Sequence, residues 1–213
     1  MKMDIKSRLF FLLFILASTL PINDVNAQER LSVNQLKDLT DNASKMLNTL
    51  TDYISIIAAA EESYDTRQKG IELCIKLFTQ NALIEEQNKA TKTKKSYPPG
   101  TYLNLLKIRS EKAPIIIDFQ ITDPLDYSDF EKIDLPDNTV LYRANIKIKQ
   151  YYCVLKPVNE RVEVGANNRS LNCQYNDVTE KMITVEIKKQ KSSKGDLWIV
   201  LLTGVNVVRV GNL

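Results

Sequence analysis

Asp118 is the one acid in the run Ile115-Ile116-Ile117-Asp118-Phe119-Gln120-Ile121. A carboxylate in a dry pocket has a raised pKa and can act as a base near neutral pH. A phenol beside it can stabilise an enolate, and Tyr142 and Tyr152 lie on one face of the next long apolar segment. That pairing is the strongest chemistry the residue types offer. Alternation weakens it: Ile115, Ile117, Phe119 and Ile121 share one face, and Asp118 falls on the other with Ile116 and Gln120. The sequence therefore names no catalytic residue, with Asp118 only a weak candidate, and a non-catalytic protein is expected. The pocket candidates are the aromatic residues Tyr102, Tyr142 and Tyr152 and the polar Asn206, which interrupts a valine-rich strand. Trp198 is read as core.

Other chemistries are excluded by composition. The chain has no histidine, which removes Ser-His and Cys-His nucleophilic pairs and the commonest zinc ligand. Its three cysteines show no C-x-x-C spacing, so no metal site is expected. No glycine-rich phosphate loop is present, and no cofactor is implied. The acid-rich segment "DPLDYSDFEKIDLPD" lacks the glycine and closing Glu of a calcium loop and reads as a solvated connection. Cys74 sits in a helical apolar pattern and reads as a small core residue. Cys153 and Cys173 bracket a loop whose closure would contribute about 3 kcal/mol. Spacing does not certify the geometry, so the bonded and unbonded pairs both stay open.

The elements that would hold these residues follow an N-terminal segment of another kind. Lys2, Lys6 and Arg8 precede an apolar run, Leu9 to Leu20, that Pro21 breaks, and Val25-Asn26-Ala27 offers a small-residue cleavage site. This order reads as a secretory signal peptide over residues 1–27, with one domain over 28–213. The run is shorter than the roughly 20 residues a membrane span needs, so no stable membrane insertion is expected after cleavage. An exported protein, periplasmic or secreted, is expected. The segment's three basic and two acidic side chains, taken from 29 and 26, leave 26 and 24, a net charge of +2. That balance gives no argument for nucleic acid. The basic run Lys89 to Tyr97 reads as a solvated loop or hairpin tip.

Residues 31 to 62 carry one long amphipathic pattern with a capping box at Ser32 and Gln35. Leu47 and Ile54 widen its stripe beyond a two-stranded seam, which favours a helix lying across a sheet over a coiled coil. A second helix is expected after Asp65, with Ile71, Cys74, Ile75 and Phe78 inward. "ALIEE" then begins a short strand. "YPPGTYLNLLKIR" reads as a turn and a short helix with Tyr102, Leu105 and Leu106 inward. Period-two strands follow around residues 115–121, 140–154 and 183–187. The last, "LWIVLLTGVNVVRV", is apolar on both faces. If its second face were left open to water, it would mark an interface, and a homodimer through the exposed sheet face is expected.

The passage from helix straight into strand at Leu77-Phe78-Thr79-Gln80-Asn81-Ala82-Leu83-Ile84 resembles the nuclear transport factor two-like superfamily (ketosteroid isomerase-like, cystatin-like cone). Tyr102 to Lys107 and Trp198 to Leu202 are similar to the helix and last-strand patterns of small exported, Bacteroidetes-type envelope members. The resemblance implies an α+β fold, with N-terminal helices on a strongly bent antiparallel sheet forming a cone with a pocket. Its members include enzymes, ligand binders and interaction modules, so the fold alone does not fix a function. Members that resemble ketosteroid isomerase use an Asp base and a Tyr donor, and dehydratases commonly use a His–Asp pair that this chain lacks. The expected partner is another envelope protein or a small apolar ligand. The alternatives are an Asp/Tyr isomerase-like enzyme and a membrane-anchored secretion or assembly component.

Overall fold

The computed structural model describes residues 30–88, 91–137, 139–161, 172–192 and 195–211. The signal-peptide reading over 1–27 lies outside them, as do Lys89 and Ala90 of the basic run.

Helix α1 (Val33–Ala58) is capped as its sequence requires: the Ser32 hydroxyl accepts from Gln35 N, and the Gln35 side chain accepts from Ser32 N. Its most buried line is Ala43, Leu47, Leu50, Ile54 and Ile57, with Leu36, Leu39, Met46 and Tyr53 half-buried beside it. The stripe is as wide as a helix on a sheet needs, and α1 packs on two other helices and on the sheet. The helix stops at Ala58, four residues short of the sequence pattern. Helix α2 (Tyr64–Ile75) starts earlier than expected, because Ser63 rather than Asp65 is its cap. Asp65 thereby falls in the first turn, where the helix dipole favours an acid. Gly70 lets the two helices close: a Cβ there would sit 3.2 Å from Ile57 Cγ1.

Strand β1 (Phe78–Gln87) follows α2 almost at once and pairs antiparallel with β2 (Lys94–Tyr97). The basic run is thus one arm of a hairpin. Helix α3 (Pro99–Lys112) opens with Pro at its first turn, where no backbone donor is lost. Strand β3 (Ile115–Ile121), a 3₁₀ turn (Tyr127–Asp129) and β4 (Glu131–Asp134) lead to the long strands β5 (Val140–Leu155), β6 (Cys173–Ser192) and β7 (Gly195–Gly211). Strand β4 went unread in the sequence. Its four residues carry no apolar alternation, and it exists because it pairs with β5.

The described residues form an α+β fold, three helices packed on a strongly curled seven-stranded sheet. The strand order is β2-β1-β7-β6-β5-β3, with β4 also on β5. One pair, β1 with β7, runs parallel, and the rest are antiparallel. Two irregularities in the β6–β7 register re-aim β7, so that Val200, Leu202, Val205 and Val207 all oppose inner-face residues of β6. The strand's second apolar face, the motive for a homodimer, therefore shrinks. Val205 and Val207 are buried inside, while Leu197 and Val208 are exposed.

A buried arginine ties the helices together. Arg67 of α2 donates Nε to Ile57 O at 2.9 Å and Nη2 to Lys107 O at 2.7 Å, and also bonds Ser110 Oγ. It reaches Glu111 at 3.4 Å. One guanidinium thus meets the carbonyl end of α1 and the last turns of α3. A planar five-donor group suits this task and an ammonium does not.

Candidate functional site

The inner face of the sheet changes character along its length. On β5, Tyr142, Ala144, Ile146 and Ile148 are buried apolar residues, and Gln150 and Tyr152 follow in the same alternation. On β6 the inner face runs Ile187, Val185, Ile183, then Lys181, Thr179, Asp177 and Tyr175. The register places Gln150 opposite Thr179 and Tyr152 opposite Asp177. The apolar half belongs to the core under the helices. The polar half is the floor of a cavity of about 380 Å³. Its other walls are Tyr102, Leu106 and Arg109 of α3, Glu86 and Gln87 at the end of β1, and Lys95 and Tyr97 of β2.

Four polar residues of this floor are buried: Gln150, Asp177, Thr179 and Lys181. Burying such groups is costly unless their hydrogen bonds are met. Gln150 Oε1 is buried and accepts no hydrogen bond among the described residues. Lys181 Nζ donates to the Glu85 carbonyl at 3.2 Å and lies 5.7 Å from the centre of the Tyr102 ring. Desolvation lowers its pKa to about 8, while Glu86, Asp177 and Glu85 pull the other way. Arg109 and Glu86 meet in a two-pronged pair at 2.6 and 3.1 Å, which raises the pKa of the guanidinium. Tyr175 donates to Asp177 Oδ2 at 2.8 Å and packs edge-on to Tyr152. Burial, aided by Asp177, pushes the Tyr175 phenol up to about 12. Burial also raises Tyr102 and Tyr152, so all three remain protonated donors at neutral pH.

The Cys153–Cys173 bond is formed, joining β5 to the start of β6 with Cα atoms 5.5 Å apart. It ties the strand ends that carry Tyr152 and Tyr175. Cys74 is a buried free thiol, and burial raises its pKa to about 12.

Of the residues singled out from sequence, Tyr102 and Tyr152 line the cavity. Tyr142 does not. It lies at the apolar end of β5, its hydroxyl accepting from Leu31 N at 3.1 Å and its ring 5.9 Å from Trp198. Asn206 is exposed, because the β7 irregularities turn it outward opposite Met182. Asp118 is exposed beside Tyr151 on the outer face of β3, so it is no pocket base. Gln150, Lys181, Asp177, Glu86 and Arg109 were missed.

No protein-family model matches the chain, and no curated protein matches it. Solved structures do. The Kfla4162 protein of Kribbella flavida is 11% identical, with 81% of this chain and 94% of that chain covered and a TM-score of 0.39. SalBIII, an epoxide hydrolase/cyclase-like enzyme of pyran ring formation in the polyether salinomycin, is 11% identical, with 81% and 98% covered and a TM-score of 0.31. The helices on a curled sheet are compatible with the nuclear transport factor two-like superfamily. The expectation of a non-catalytic protein is corrected here. One of the matched structures is that of an enzyme. The cavity also brings together ionisable groups that were not grouped from the sequence: Glu86, Arg109, Asp177 and Lys181.

Proposed function

We propose that the protein is an exported member of the nuclear transport factor two-like superfamily whose cone takes a small polar organic molecule rich in hydroxyl and carbonyl oxygens. One observation carries the reading: the inner sheet face turns polar where it forms the floor of a cavity, burying Gln150, Asp177, Thr179 and Lys181 there. A bound molecule with oxygen acceptors and hydroxyl donors would complete their hydrogen bonds, and tyrosine rings would pack its carbon skeleton. The lining argues against the wholly apolar ligand expected from sequence. Superfamily membership is supported by the order of elements and the curled sheet, and export by the N-terminal residues.

The cavity is at the small end of the range for ligand sites, which suits a metabolite-sized molecule. Ligand-observed NMR with a panel of small hydroxy acids, monosaccharides and hydroxyaldehydes tests this. Binding by wild type that Gln150→Leu weakens at least tenfold supports the reading. Binding unchanged in that variant, or none across the panel, opposes it.

A further inference from the structure

Resting on that pocket reading, we infer that Lys181 is a carbonyl-reactive amine that forms an imine with a small aldehyde or ketone seated on the cavity floor. Lys181 is 4% exposed and lines the cavity. Its Nζ makes one hydrogen bond, to a neutral carbonyl, and no carboxylate lies within ion-pair distance of it among the described residues. An ammonium held with no carboxylate in contact carries its charge at a desolvation cost. This one is left partly desolvated on a cavity wall, the setting that makes an amine nucleophilic. The charged and titratable groups that line the cavity with it are Glu86 of β1, Lys95 and Tyr97 of β2, Tyr102 and Arg109 of α3, Tyr152 of β5, and Tyr175 and Asp177 of β6, and Glu85 of β1 also acts on it. Arg109 and Glu86 satisfy each other.

The chemistry balances without a further reagent. The neutral amine's lone pair attacks the carbonyl carbon, the C=O π pair moves to oxygen, and a proton passes from nitrogen to that oxygen. A phenol proton then passes to the carbinolamine hydroxyl, which leaves as water while the nitrogen lone pair forms the C=N bond, and the iminium N–H returns a proton to the phenolate to leave the imine. Tyr102 and Tyr152, held as phenols in the same cavity, are the proton donors. Gln150 and Thr179 would pair with hydroxyls on the carbon chain. With a pKa of about 8 against an ordinary value of 10.5, Lys181 presents on the order of 100-fold more free amine at pH 7.5 than an exposed lysine.

The test uses the whole exported chain, glyceraldehyde as probe and cyanoborohydride to reduce any imine, followed by peptide mass mapping. The expected result is one reduced adduct, on Lys181, at limiting probe. Its rate should rise with a midpoint near pH 8, and Lys181→Met should lose it while keeping its fold by circular dichroism. The pH profile is measured on wild type, so it stands even if the variant fails to fold. Adducts scattered over surface lysines with Lys181 unmodified would overturn the inference. Glyceraldehyde binding seen by NMR without an adduct would overturn it and leave the pocket reading intact. Neither binding nor adduct would defeat both for this probe class.

Discussion

Replacing Lys181 by Met is expected to stabilise the protein at pH 7, which is unusual for a change at a buried, hydrogen-bonded residue. In the unfolded chain the amine has its ordinary pKa of 10.5, and in the fold desolvation lowers it to about 8. A difference of that size corresponds to about 3 kcal/mol of destabilisation wherever the folded amine must carry a proton. Met is of similar length and fills the same space. It forfeits the bond to Glu85 O, worth about 1 kcal/mol, and the contact with the Tyr102 ring, worth about 0.5–1 kcal/mol. The net gain at pH 7 is about 1 kcal/mol. The pH dependence is the sharper signature. Between pH 8 and 10.5 the unfolded chain binds the proton that the folded chain has released, so wild-type stability rises with pH there relative to the variant. Cys74 works in the opposite direction: its thiol pKa is raised from 9.0 to about 12, so folded protein loses stability as pH climbs above 9. That loss is common to both proteins and cancels in the difference. Urea unfolding of both at pH 7, 9 and 10 measures the gap. A gap that does not change with pH, or a variant less stable than wild type at pH 7, would refute the claim that Lys181 is strained by burial.

Arg67→Met should cost about 3–5 kcal/mol, since it strips partners from buried carbonyls of two helices, and Arg67→Lys should recover less than half in the same thermal melts. Cys153→Ser should cost about 3 kcal/mol in non-reducing urea titration and should loosen Tyr152 and Tyr175, read as higher acrylamide quenching of tyrosine emission. Asp118→Asn should change stability by less than about 0.5 kcal/mol, whereas Tyr142→Ala should cost about 3–5 kcal/mol, both by calorimetry.

Much of the fold was legible because its signals are local. The Ser32–Gln35 box, the wide stripe through Leu47 and Ile54, the Pro at the start of α3 and the alternation on β5 each follow from a few neighbouring residues. What failed depended on pairing. Asn206 was placed on the wrong face because the extra residues in β7 show only against β6. The cavity lay half in view. Gln150 is the one strongly polar residue in the alternation from Val140 to Val154, and stepping back by twos from Ile183 reaches Lys181, Thr179 and Asp177. Nothing in the sequence sets β5 and β6 in the register that faces Gln150 with Thr179, or brings Glu86 to Arg109 from 23 residues away.

Chemical-shift mapping decides whether the polar end of the inner sheet face is a ligand site. Isotope-labelled protein would be titrated with whichever hydroxy acid, sugar or hydroxyaldehyde binds. The shifts are expected to gather on Tyr102, Gln150, Tyr152, Thr179 and Lys181, from α3, β5 and β6 together. Shifts centred instead on Leu197 and Val208 of the outer face, or spread evenly over surface lysines, would contradict it.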